Sequence, residues 1–102
     1  MDRITIDFER TMRQAAQLDE YADSLRKMTV QEYETAMQTL SSQWVSDSAS
    51  AFLTKGEALK ANMEETARDI ESIAAGLRRA ARRIYEAERR AEEIARQRNA
   101  SR

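Results

Sequence analysis

From Phe52 to Ile94 the chain repeats one pattern in alternating steps of four and three residues. The positions are Phe52, Gly56, Leu59, Met63, Thr66, Ile70, Ile73, Leu77, Ala80, Ile84, Ala87, Ala91 and Ile94, and eleven of the thirteen are apolar. A 3.5-residue repeat held this long predicts one continuous helix that packs by knobs into holes. Phe52, Leu59, Met63, Ile70, Ile73 and Leu77 then form a partner-binding stripe. The first half carries shorter runs of the same kind, through Phe8, Met12 and Ala15, then Leu18, Ala22 and Leu25, then Val30, Tyr33, Met37, Leu40 and Trp44. Between Leu25 and Val30 the step is five. It coincides with Thr29-Val-Gln-Glu32, which has the spacing of a capping box, so a kink or brief break competes there with an unbroken helix. With no Gly or Pro to enforce a stop, one helix over about 7–42 is preferred. Ile4-Thr-Ile6-Asp7 ahead of it reads as a short extended arm, with Asp7 or Thr5 as N-cap.

One stretch suits a turn. Ser41-Ser-Gln-Trp-Val-Ser-Asp-Ser-Ala-Ser50 concentrates residues whose side chains compete with the helical backbone and cap new helices. A turn at 43–47 and a second helix over about 48–97 follow, with Ser46, Asp47 and Ser48 all competent N-caps. The fold class is all-α, an antiparallel two-helix hairpin spanning 1–102 as a single domain. The arms are unequal: at about 1.5 Å per residue the second is longer by roughly 20 Å. In a hairpin turning near residue 45, Asp7 faces Arg83, so everything from about Ile84 onward overhangs. That overhang carries Ile84, Tyr85, Ala87, Ala91, Ile94 and Ala95, an apolar stripe of the kind that marks an interaction surface. Two helices alone bury one side of each, and a chain this short gains enough core by associating. A dimer forming a four-helix bundle is expected.

Composition narrows the function. The chain has no Cys, His or Pro and two Gly among 102 residues. Without His or Cys the usual general base, thiolate nucleophile and zinc ligands are absent, so a non-enzymatic role with no cofactor and no metal is expected. Adjacent acids such as Glu64-Glu65 and Glu92-Glu93 diverge by about 100° around a helix and converge on no site. No apolar run approaches the roughly 18 residues of a membrane span, and MDRITIDFER is not a signal-peptide core. Neither a membrane anchor nor a cleavable signal is expected.

The net charge of −1 hides an asymmetry: residues 1–50 hold 5 basic and 9 acidic groups, and residues 51–102 hold 12 and 9. Arg78-Arg79 and Arg82-Arg83 form a basic cluster without an aromatic platform. Arg82 with Glu86, Arg89 with Glu93, and Glu92 with Arg96 have the spacing of ion pairs along a helix. A solvated or partner-facing flank is expected there and not a nucleic-acid site. Met37 and Met63 lie on the stripes and read as core filler. Gly76, one position off the stripe, suggests a close approach or a slight bend. Trp44 reads as a plug closing the hairpin end against Leu40 and Phe52, or as a recognition anchor.

The central Leu40-Ser-Ser-Gln-Trp44, the following Asp47-Ser-Ala-Ser-Ala-Phe52, the opening Ile4-Thr-Ile6-Asp7-Phe8 and the tail Ile84-Tyr-Glu-Ala-Glu88 resemble the WXG family of type VII secretion substrates, the ESAT-like proteins. The resemblance implies a helical hairpin of about one hundred residues with its Trp-x-Gly turn at Trp44, Val45 and Ser46, Ser46 standing where the family has glycine. It also implies an export signal formed by that turn and a C-terminal segment, read by a type VII secretion ATPase. The family pattern of Tyr followed four residues later by an acid meets Arg89 after Tyr85. The looser apolar and acidic spacing fits Ile84, Glu88, Ala91 and Ala95, with Tyr85 among them. Implied partners are the chain itself, a second small helical protein, or the N-terminal helical domain of a larger toxin for which this chain is the targeting factor or chaperone. The implied location is cytoplasmic before export, then secreted or at the cell surface. A cytoplasmic coiled-coil scaffold or regulator with no secretion role is the alternative.

Overall fold

The computed structural model describes residues 2–43 and 47–101 and is helical over 3–43 and 47–100. Helix α1 spans Arg3–Lys27, a π-helical segment follows over Met28–Tyr33, α2 spans Glu34–Gln43, and α3 spans Asp47–Ala100. The fold class is the expected two-helix hairpin. The residues group into two compact units, one of Met1–Leu18 with Ser72–Arg102 and one of Asp19–Glu71, each built from antiparallel helices.

In the unit of Asp19–Glu71, Ala22, Thr29, Ala49, Gly56 and Ala67 are buried. Small residues on facing helices bring the two backbones close. A Cβ at Gly56 would meet the flexible ends of two side chains, the methyl of Met37 and the hydroxyl of Tyr33, which would have to move. Its backbone φ is not positive, so conformation does not require glycine here. Met37, half-buried, caps this contact, and Met63 is likewise half-buried on α3.

The five-residue step before Val30 becomes a widened turn. The N–H of Glu34 donates to the carbonyl of Thr29, a bond five residues back, and the Thr29 hydroxyl donates to the carbonyl of Leu25 at 2.9 Å. One extra residue is thus absorbed without ending the helix. Helix runs on from α1 through this turn into α2, and the buried seam runs through Thr29 and not through Val30, which is mostly exposed. Thr is tolerated inside because its hydroxyl is satisfied locally.

In the other unit, Ala15 of α1 and Ala74 and Ala81 of α3 are buried. The expected extended arm at Ile4–Asp7 is helical instead. Asp2 caps it, its carboxylate accepting the Thr5 N–H at 3.0 Å, while the Ile6 N–H donates to the Asp2 carbonyl at 3.0 Å. Asp at this position satisfies an otherwise orphaned donor and complements the helix dipole, which outweighs the β-branched character of Ile4-Thr-Ile6. Gly76 serves no close approach: a Cβ there would meet only the Arg79 guanidinium, at 3.7 Å.

Candidate functional site

The earlier start of α1 moves the tail. Among the described residues α1 reaches far enough that Asp2 meets Arg89 and Phe8 meets Tyr85, so the expected overhang from Ile84 is corrected. Ile84, Tyr85 and Glu88 lie alongside α1, and they share with Ile4, Asp7, Phe8, Leu77 and Ala81 the lining of a groove of about 320 Å³. Ala91 and Ala95 are exposed beyond it.

The contacts at this end are specific. The Phe8 and Tyr85 rings stack at a tilt of 41° with centroids 4.8 Å apart, inside the range of favourable aromatic pairs. The Arg89 guanidinium lies 5.2 Å from the Tyr85 ring centroid, a cation–π contact. Its two terminal nitrogens donate to the two Asp2 oxygens at 2.6 and 3.0 Å, and one also donates to the Thr5 hydroxyl at 2.6 Å. A forked Arg–carboxylate pair fixes geometry as well as charge. The Arg89 guanidinium, helped by the Thr5 N–H, holds the Asp2 carboxyl well below the usual carboxylate range. Arg89 thus turns to Asp2 and to Glu92 (3.3 Å) in place of the expected Glu93, and Arg96 takes Glu93 at 2.8 Å with Glu92 at 3.8 Å. The Asp2–Arg89 pair escaped sequence reasoning, although Asp2-x-x-Thr5 has the spacing of an N-cap and its third helical residue.

The unit of Asp19–Glu71 has two ion pairs of its own. Arg26 forks onto Glu71, with Nη1 to Oε2 at 2.7 Å, and Lys60 pairs with Glu34. Hydrogen bonding to Arg26 lowers the Glu71 pKa, and hydrogen bonding to Glu34 raises that of Lys60. A groove of about 330 Å³ is lined by Tyr33, Met37, Gln38, Ser41 and Leu53, with Glu34 and Glu57.

The partner-binding stripe divides into two sets. Met63, Ile70 and Leu77 are half-buried within the chain, while Phe52, Leu59 and Ile73 are each more than half exposed, as are Ile84 and Ile94. Alanine fills the inner seam, and Phe52, Leu59 and Ile73 lie on the outer edge of α3. On the first helical arm Tyr21 and Val30 are also more than half exposed. The expected turn motif of Trp44, Val45 and Ser46 lies outside the described residues.

A family model for proteins of 100 residues with WXG matches residues 3–89. The chain belongs to the WXG100 family. The match takes in the helical arms, the Trp44 region and the aromatic contact at Tyr85. WXG100 proteins are small, non-enzymatic type VII secretion substrates that pair with other helical proteins. Neither a curated protein nor a solved structure matches the chain. Among the described residues, no helix is long and apolar enough to cross a membrane, and no group of three His, Cys, Asp or Glu side chains is placed to hold a metal ion.

Proposed function

We propose that this WXG100 chain is a type VII secretion hairpin that pairs with a second helical hairpin through the outer edge of α3. The partner is a second copy, another small helical protein, or the N-terminal helices of a larger toxin. The observation that carries the pairing is the inversion of side-chain size: alanines occupy the inner seam, whereas Leu59, Ile73, Ile84 and Ile94 stand more than half exposed. A buried methyl contributes only about 0.8 kcal/mol, so an alanine seam alone leaves most of the available hydrophobic stabilisation unused, and covering the isoleucines and leucine recovers it. Sedimentation at micromolar concentration tests this, alone and after co-expression with an adjacent toxin's N-terminal helices. A dimer or a mixed complex is expected, and a stable, fully helical monomer under both conditions overturns the pairing.

The same chain presents its export signal at the Trp44 turn and at the tail of Ile84, Tyr85, Glu88, Ala91 and Ala95, for reading by the type VII secretion ATPase. Support comes from the family and from a tail that leaves apolar and acidic groups exposed on one helix. Secretion of the chain, or of its partner, is expected to stop with Trp44→Ala and with truncation after Arg83. Unchanged secretion in both variants overturns this signal.

A further inference from the structure

The tail is not a helix standing alone. Tyr85 is half-buried, with Phe8 of α1 on one side and the Arg89 guanidinium on its ring, and Arg89 is itself held by Asp2 and Thr5 of α1. The ring orientation of Tyr85 is therefore set jointly by both helices. We infer that the tail is read as a two-helix surface, in which Asp2 and Arg89 are positioning residues that set Tyr85 against Phe8. This rests on the reading of the tail as part of the export signal.

The physical reasoning follows from the geometry of the pair. A lone arginine on an exposed helix samples many rotamers, and a side chain of this length gives up considerable freedom when it is immobilised. Hydrogen bonds from one guanidinium to Asp2 and Thr5 of α1 and to Glu92 of its own helix hold it in one geometry, and that geometry places its cation on the Tyr85 ring. Asp2 is in turn fixed by capping α1. Changes at the start of α1 are thus transmitted to the tail's aromatic residue through side-chain contacts alone. A reader that docks on Tyr85 meets a surface made in part by residues far from the tail in sequence.

The test combines export with a spectroscopic readout. Arg89→Gln removes the cation, and Asp2→Asn removes the charge while keeping an N-cap of equal quality. Both are expected to move the NMR signals of the Tyr85 and Phe8 rings and to lower export, with helix content by circular dichroism retained. Arg89→Lys, which keeps a cation within reach of Asp2 and the Tyr85 ring, is expected to retain more of the ring signals and of export than Arg89→Gln, which a loss of general stability would not produce. Two results overturn the inference. One is ring signals that stay in place in Asp2→Asn and Arg89→Gln. The other is full export by these variants while truncation after Arg83 abolishes it, which leaves the tail a signal read as a single helix. Full export by the truncated chain instead removes the underlying reading as well.

Discussion

The two units solve the same packing problem with opposite surroundings. Met1–Leu18 with Ser72–Arg102 carries twelve Arg against seven acids, a balance of +5, whereas Asp19–Glu71 carries five basic groups against eleven acids, a balance of −6. Together they give the net −1. The basic unit closes around an aromatic pair and one forked ion pair at its end. The acidic unit closes around a glycine, a widened helical turn and two ion pairs. The alanine seam is common to both, so what distinguishes the units is not the core but what each has added at its flanks. The basic unit ends in rings and an arginine, and the acidic unit places a glycine and a threonine in its interior.

The largest expected effect tests the close approach. Gly56→Leu forces Met37 and Tyr33 out of their positions and is expected to destabilise the chain by about 1–3 kcal/mol, the range for overpacking a tight contact. Thermal unfolding at fixed protein concentration measures it, and an unchanged melting temperature would show that the helices in this unit are not held close. Gly76→Ala is the counterpart in the basic unit. No neighbour crowds the new methyl, so the gain in helix propensity, about 0.8–1 kcal/mol, is expected in full, raising the melting temperature by about 4–8 °C per kcal/mol. A loss of stability instead would reveal a bend that depends on Gly76.

Acid gives the smallest effect and touches both units. Asp2 and Glu71 are held below the usual carboxylate range by Arg89 and Arg26. A carboxyl whose folded pKa is lowered contributes stability that is complete above its unfolded pKa, about 3.9 for Asp and 4.3 for Glu, and is lost as pH falls below it. Urea midpoints are therefore expected to hold steady from about pH 7 to 5 and to drop below about pH 4. Arg26→Ala is expected to remove the part of this drop that belongs to Glu71. An equal acid response with and without Arg26 would assign that part elsewhere.

The long repeat on α3 made the helix and the hairpin legible from sequence, because period and length survive whatever the helix packs against. It did not reveal which edge of the repeat faces inward. Phe52, Leu59 and Ile73 satisfy the heptad as well as Ala67, Ala74 and Ala81 satisfy a parallel one, and only the distance between backbones decides between them. The step of five before Val30 correctly marked an irregularity, but the choice of Thr29 for the interior depends on a hydroxyl finding the Leu25 carbonyl, which spacing does not encode. The β-branched Ile4-Thr-Ile6 reads as extended backbone and masks the capping role of Asp2. Its value lies in a partner 87 residues away, beyond the reach of any local pattern.

An alanine seam also sets how long an unaccompanied copy lasts. With little side-chain surface to lose, the helices of a lone chain open readily, and each opening offers uncovered backbone to proteases. A bound partner suppresses those openings by mass action. For a chain paired as proposed, the surviving amount would then follow the supply of the partner that covers the outer edge of α3.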